Sequence, residues 1–489
     1  MTATAGTRAG ITGSARATDD QRAAVGCGAG RFQARAGRRG EQDRRSDKET
    51  TLSESRSFPL AHASSPQGEP GPRRRAGGSL GASLRQSASA LRHRDFRLFM
   101  TGQLITQTGM WMQSVAQAWL VLQLSGSSLK LGIVSAAQTL PVLVLSVFAG
   151  VVADRLPRRS VVMATQSTMM LCALTLSLLT WTGVVRYWHV LLVALVLGLA
   201  NTFDMPARQS FMVELVSPED TVNAIAINSS VFNICRLVGP AAAGLLMGLW
   251  GPAVAFLATG ISYVGVLTSL MRIRAREERH PRVGIQRGLL SHVGEGVAYV
   301  RRVPRLGRAL LLLGGLSTFA MNTNVLVPVF AQDVLGQEAT GYGLLMSAMG
   351  VGALIGALSL VLQSHSGDPT GARIAAAFVL SASLILLSAT RDYALALAVM
   401  AAVGWGMVTF NAATNSTLQL HTDNAYRGRV MSLYSLMLVG VAPIGSLLTG
   451  TALEYLGAPV TSLLAGFAGL FTTLAVRPWR DLRAEATPS

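Results

Sequence analysis

The 489-residue chain has a formal net charge of +17, yet only 14% of its residues are charged and 50% are hydrophobic. An ordinary soluble domain has about a quarter of its residues charged, so this composition excludes one and points to a polytopic membrane protein. The arginines gather in the N-terminal tail and in loops between apolar runs, a distribution that follows membrane topology rather than nucleic-acid binding.

Residues 1–90 are rich in Arg, Gly, Ser and Ala and nearly devoid of apolar clusters. Such a segment cannot bury enough surface to offset the entropy of ordering it, and is expected to be disordered. Arg38-Arg39 and Arg44-Arg45 are followed by no apolar stretch, so neither a Sec nor a twin-arginine signal is expected. The tail is either a basic arm for anionic membrane lipid or a dispensable extension from a start placed too early.

From Phe96 onward, apolar runs alternate with short polar loops: roughly 98–123, 131–153, 159–182, 187–206, 222–248, 252–272, 308–332, 341–363, 371–390, 393–415, 427–450 and 459–478. Each approaches the about 20 residues that a helix needs to cross the hydrocarbon core. The expected fold class is therefore all-α, with twelve transmembrane helices in two six-helix halves. Cys172 and Cys235 lie inside such runs and Cys27 in the tail, so the cysteines form neither a metal spacing nor a disulfide framework.

One set of alternate loops holds Arg155, Arg158, Arg159, Arg208, the stretch Arg272 to Arg308, Arg373, Arg427 and Arg429. The opposite set holds Lys130, Arg186 and Arg391 with Asp333, Glu338, Asp392 and Glu454. The positive-inside rule places the first set, and both termini, in the cytoplasm. The implied organisation is a tail (1–90), a six-helix half (91–272), a linker (273–307), a second half (308–480) and a short C-terminal tail (481–489). In the linker, Leu289, Val293, Val297 and Val300 recur at helical spacing before Arg301, Arg302 and Arg305. That pattern predicts an amphipathic helix on the inner membrane surface, the alternative being a solvated linker.

The two halves resemble each other faintly. "TFDMPARQS" (Thr202 to Ser210) matches "TFNAATNST" (Thr409 to Thr417), and "LVGPAAAG" (Leu237 to Gly244) matches "GVAPIGSL" (Gly440 to Leu447), which aligns Pro240 with Pro443. A duplicated unit is the arrangement expected when two halves rock about a central substrate site.

Gly150-x-x-x-Asp154-Arg155-x-x-Arg158-Arg159 resembles the loop between helices two and three of the major facilitator superfamily, with Pro157 where the usual pattern has Gly. "LRHRDFRLFMTGQL" (91–104), "WMQSVAQAWLVLQLSGS" (111–127), "NTFDMPARQSFM" (201–212), "RLVGPAAAGLL" (236–246), "GEGVAYVRRVPRL" (294–306) and "RGRVMSLYSLMLVGVAPIGSL" (427–447) narrow the likeness. Together they resemble the bacterial branch of the enterobactin exporter and related drug-efflux proteins, over about residues 91 to 480.

Several residues could carry the transport chemistry. Asp154 falls at the cytoplasmic end of span two, where an unpaired carboxylate is costly if desolvated. Arg155, Arg158 and Arg159 can neutralise it, and span eleven, beginning at Arg427-Gly428-Arg429, offers a helix N-terminus. These residues and Gly150 are expected to form a gating latch; the alternative is that the arginines only set topology. Arg236 lies about midway along span five and could bind an anionic substrate or pair with a carboxylate in proton coupling. Its structural alternative is bonding to carbonyls freed by Pro240, or to Asn233. Gly239, Pro240 and Gly244 resemble the antiporter signature of helix five, with Ala243 replacing one glycine. With Pro443 they are expected to act as hinge or packing positions. Asp204, near the end of span four, is a proton-carrier candidate or a structural partner of Arg208. Gln103, Gln107, Trp111, Gln113, Gln117 and Trp119 in span one, with Asn322, Asn324, Asn411 and Asn415, either line a substrate cavity or hydrogen-bond helix to helix.

The expected function is secondary active transport of a small molecule outward across the cytoplasmic membrane, by proton antiport and alternating access. The resemblance implies a siderophore or an amphipathic drug as cargo. The second reading is a lysophospholipid flippase or an importer of the same fold. An intramembrane enzyme is not expected, because the seven histidines lie in the tail, loops or membrane edges and no nucleophile–base pair stands in a span. Nor is a channel expected, for want of a repeated pore loop, although a non-transporting receptor would share the sequence features. No cofactor or metal and no nucleic-acid partner is expected. The partners are the substrate, protons and membrane lipids, and the chain is expected to act as a monomer.

Overall fold

The computed structural model describes residues 89–273, 289–363 and 369–477, with the backbone alone at 146–155, 289–293 and 361–363. Nearly all of the expected tail, linker positions 274–288 and the C-terminal tail lie outside the described residues.

The first half comprises α1 (Arg94–Ser125), α2 (Ser128–Arg155), α3 (Arg158–Trp181), α4 (Tyr187–Glu214), α5 (Thr221–Trp250) and α6 (Pro252–Arg272). Glycines set the tight turns. α1 stops at Gly126, whose φ of 56° and N–H bond to Leu122 O form a left-handed C-cap. Gly251 (φ 82°) and Pro252 turn α5 straight into α6. After the short amphipathic helix α7 (Leu289–Arg302), span seven is split into α8 (Pro304–Phe319) and α9 (Thr323–Asp333). Then follow α10 (Ala339–Gln363), α11 (Thr370–Ala389), α12 (Tyr393–Leu420), α13 (Arg427–Ser435), a π-turn at Leu436–Gly440 and α14 (Ala442–Val476). α14 is two crossings joined at Gly457 (φ 75°).

Among the described residues, ten segments are long and apolar enough to cross a membrane. One of them, Arg427–Val476, is the pair of crossings joined at Gly457, and α1 adds another, its hydropathy lowered by buried glutamines. Twelve crossings result. Several run longer than expected: α4 and α12 continue to Glu214 and Leu420, so Asp204, Pro206 and Arg208 stand inside a helix rather than at its edge or in a loop.

α1 packs on α5 and α6, α2 on α4, and α3 on α4 and α6; in the second half α10 packs on α12, and α11 on α12 and α14. The halves meet chiefly through α5 with α10 and α2 with α14. Both seams are backbone against backbone. A Cβ on Gly343 would lie 2.6 Å from Gly244 Cα and 2.6 Å from Pro240 O, and one on Gly132 would lie 3.0 Å from Gly450 Cα and 2.7 Å from Ser446 O. Lipid tails provide no hydrophobic drive for helices to associate, so small residues that admit close approach carry such contacts.

These two seams repeat each other, which makes Ser446 the counterpart of Pro240 and Gly450 that of Gly244. The sequence match of Pro240 with Pro443 is thus three residues out of register, because a gapless match of short Gly- and Pro-bearing stretches is decided by composition. Pro443 instead opens α14 just beyond the π-turn.

Both seams lie toward the arginine-poor end. There Trp119 stacks on Tyr342 across the halves with centroids 5.8 Å apart, Ser135 Oγ meets Ser446 Oγ at 3.1 Å, and Thr340 Oγ1 donates to Gly244 O at 3.1 Å. Toward the arginine-rich end, α5 leaves Val222, Ile225, Ser229 and Ser230 exposed, and Arg427, Ser432 and Ser435 are exposed at and after the start of span eleven. Exposed serines and arginines on spanning helices suit a water-filled opening better than lipid. The two halves are held together at the arginine-poor end by the contacts of Trp119, Ser135 and Thr340.

Candidate functional site: a buried arginine where the halves meet

Arg236 is the sixteenth of the thirty residues of α5 and is only 8% exposed. Gly239 brings α5 onto α1: a Cβ there would lie 2.5 Å from Trp111 Cβ and 2.9 Å from Thr108 O. The guanidinium consequently stands over the Trp111 ring, 5.6 Å from its centroid, and Trp111 meets Phe232 edge-on at 5.6 Å. Across the seam, Arg236 Nη2 points at Met407 Sδ of α12, 3.7 Å away, and Nε has no hydrogen-bond partner.

Neither structural alternative for Arg236 is realised. Asn233 Nδ2 donates to Ser229 O at 2.9 Å. The carbonyl that Pro240 deprives of its helical donor is that of Arg236 itself, and Gly350 of α10 packs on it. No carboxylate lies within ion-pair reach of Arg236 among the described residues. Beyond Arg236 the Gly244–Gly343 seam closes the path. Ala243, at the position where the family pattern has its extra glycine, is fully buried, while Gly244 holds the contact that no Cβ could share.

The α1 amides are buried: Gln103, Gln107, Gln113 and Gln117 are all at most 4% exposed. Gln117 Nε2 donates to Gln138 Oε1 at 3.1 Å, a helix-to-helix bond, whereas Gln103 Nε2 and Gln113 Nε2 have no partner. Asn322 sits at the α8–α9 break, donating to Thr318 O at 2.7 Å and abutting Gly445. Asn411 Oδ1 is buried without a partner, Asn324 is exposed, and Asn415 accepts from Gln419. The structure thus gathers Arg236 and Trp111 into one cluster, places the glutamines inside the bundle, and leaves Asn324 apart.

Asp204 is wholly buried and accepts from Thr165 Oγ1, Gln166 Nε2 and Arg208 Nε, each at 2.9 Å. This network lies within the first half, between α3 and α4, and does not include Arg236. Among the described residues Asp204 is the one buried carboxylate.

Of the expected latch, Gly150, Asp154 and Arg155 fall where side chains lie outside the description. Arg158 and Arg159 are engaged within the first half, and Arg429 with the linker helix α7. Arg158 pairs with Glu214, and Arg159 Nη2 donates to Met271 O at 3.4 Å. Arg429 Nη2 bonds Glu295 Oε2 of α7 at 2.8 Å, while Arg427 is exposed. α7 is further held by Tyr299, which stacks on Tyr426 at 4.2 Å and bonds Asp423 Oδ2 at 3.1 Å.

Sequence reasoning missed Met407, Glu295 and Glu454. Glu454 was counted among loop charges. It lies near the end of span eleven, where its Oε2 accepts from Ser127 Oγ at 2.9 Å and from Leu129 N–H at 3.1 Å, an anion at the N-terminus of α2. It is a cross-half latch at the arginine-poor end. A carboxylate with a helix start within reach was the available signal.

Comparison with known proteins agrees with this architecture. The profile of the family described as transmembrane secretion effector matches residues 86–487. The multidrug efflux pump Tap of Mycolicibacterium fortuitum is 26% identical over 374 residues, covering 75% of this chain and 91% of that protein. The staphyloferrin A transporter of Staphylococcus aureus is 22% identical and covers 77% of this chain and 94% of its own length. A bacterial homologue of the human lysosomal transporter Spinster, solved inward-facing and unoccupied, superposes with a TM-score of 0.63 at 12% identity, covering 81% of this chain and 98% of that one. The last likeness concerns the fold alone. With twelve crossings in two halves and a profile match over most of its length, the chain belongs to the transmembrane secretion effector family of major facilitator transporters.

Proposed function

We propose that the protein exports a small molecule across the cytoplasmic membrane by alternating access, in exchange for protons. The carrying observation is the pair of repeated glycine seams that shut one end, with the buried Arg236 at their inner limit where the two halves meet. The positive-inside rule makes the arginine-rich end cytoplasmic, with both termini on that side. The structure then corresponds to the state that loads cargo from the cell.

In the opposite state the seams part, and the latch of Asp154, Arg155, Arg158 and Arg159 with Arg427 and Arg429 closes the cytoplasmic end. Arg158 and Arg429 are released for it from Glu214 and Glu295. Gly239, Pro240 and Gly244 form the seam on which the halves turn. Asp204, the one buried carboxylate among the described residues, is the proton-carrier candidate, and its protonation would remove the charge that holds Arg208. The relatives named for drug efflux and for staphyloferrin A support a siderophore or an amphipathic drug as cargo.

A lysophospholipid flippase or importer is the second reading. An apolar cleft of about 410 Å³ between α1 and α6, lined by Leu104, Ile105, Met112 and Ile261 among others, is the observation that favours a lipid-like cargo.

The test is transport into proteoliposomes of inverted orientation with an acidic lumen. Staphyloferrin A should accumulate, and the accumulation should be lost when the pH gradient is collapsed. Accumulation indifferent to the gradient would overturn the antiport, and flipping of a labelled lysophospholipid alone would install the second reading.

A further inference from the structure

We propose that Arg236, Trp111 and Met407 form a subsite for an anionic group carried on an apolar or aromatic body, so that the cargo is an amphipathic organic anion. The proposal deepens the export reading and rests on it for the cavity's role in transport.

A guanidinium buried in the middle of a membrane span has lost its water, and an unpaired buried ion is strongly destabilising. Among the described residues none offers a counter-ion. Of the other buried charged side chains described, Asp204 is bound to Arg208, Thr165 and Gln166, and Arg373 is itself a cation. The groups that do surround Arg236 are a tryptophan face and a thioether sulfur. These stabilise a cation weakly, with one Nη2 donor directed at the poor acceptor Met407 Sδ. Nε is still unpartnered.

An arriving carboxylate would therefore find donors already desolvated and oriented, and the planar fork of arginine suits it. Trp111, Phe232 and Met407 would pack against the body that bears it. A cationic cargo would meet the same buried charge as repulsion. The location suits a substrate rather than a structural anion: the site touches both halves, α1 and α5 on one side and α10 and α12 on the other, at the inner limit of the sealed region. With the anion bound, the pair is neutral, and the halves can exchange states without moving an unpaired charge between them.

The experiment uses the full chain in nanodiscs, with 2-naphthoate and its uncharged isostere 2-naphthamide as probes. Affinities come from the dose dependence of the unfolding midpoint. We expect naphthoate to bind the parent protein at least tenfold tighter than naphthamide. Arg236→Gln should reduce that preference to within twofold, while naphthamide binding stays. Met407→Glu, which supplies an internal carboxylate beside the guanidinium and preserves charge balance, should abolish the preference even if Arg236→Gln fails to fold. Equal binding of the two probes to the parent, or a naphthoate preference surviving in Met407→Glu, would overturn the subsite. Gradient-driven export of neutral cargo without anion preference would sink the subsite and leave the exporter standing. Anion binding without gradient-driven transport would do the reverse.

Discussion

The glycine seam makes a sharp prediction at Gly343. Replacing it with alanine puts a methyl carbon 2.6 Å from both Gly244 Cα and Pro240 O, and neither is the end of a flexible side chain. Carbon atoms at rest stand about 3.5–4.0 Å apart, so α5 and α10 must separate by roughly an ångström. Overpacking of this kind costs about 1–3 kcal/mol. The cost falls only on the conformation in which the seam is closed, so the balance between states should shift by about 5- to 150-fold toward the one open at the arginine-poor end. The reporter is Ser135→Cys, placed in the other seam opposite Ser446, in a background lacking Cys27, Cys172 and Cys235. Its reaction with a membrane-impermeant maleimide added from the arginine-poor side should accelerate at least about fivefold in Gly343→Ala. Gly371→Ala, where an added Cβ meets nothing within 4 Å, should leave the rate unchanged. If Gly343→Ala and its parent label at the same rate, the seams do not control access, and the reasoning fails.

Other residues give further tests. Glu454→Gln weakens an exposed charge-assisted contact with Ser127 and Leu129, worth about 0.5–1 kcal/mol, so the same reporter should label roughly two- to fivefold faster; a slower rate would refute the latch at that end. Asp204→Asn breaks a buried pair with Arg208, a loss of about 3–5 kcal/mol, and the variant should show a markedly lower Tm in detergent. Whatever protein remains folded should transport without dependence on the pH gradient, and retained gradient dependence would refute Asp204 as the proton carrier. Glu295→Gln releases Arg429 from α7, and a cysteine at Ser229 should then label more slowly from the arginine-rich side as that end closes more often. Faster labelling would show that Glu295 does not hold it open.

The spans were legible because the bilayer demands long apolar runs, and residues such as Phe211 or Leu312 need only be greasy to qualify. Interruptions were less so. The break at Ala320–Asn322 and the near-absence of a loop at Gly457 depend on neighbours, and neither changes mean hydropathy over a window. Asp204 with Arg208 could be read from their four-residue spacing on one helix. Thr165 and Gln166, which complete the network, come from another helix and left no mark near Asp204 in the chain. Arg236 announced itself by being charged in an apolar run, yet its side-chain partner across the seam is Met407, a residue no pattern distinguishes from lipid-facing packing. Pro443 misled, since a shared proline is visible in letters whereas the Gly132–Gly450 register is visible only in space.

The bare seams have a kinetic consequence. Where two walls touch largely through main chain, parting them strands no amide, because each N–H is already held within its own helix. Few side chains, Trp119 and Tyr342 foremost, must separate for the wall to yield, and friction is low in both directions. Turnover should then be governed by the occupant of the chamber, and an empty carrier would be held in one posture chiefly by peripheral contacts such as Glu454 and Glu295.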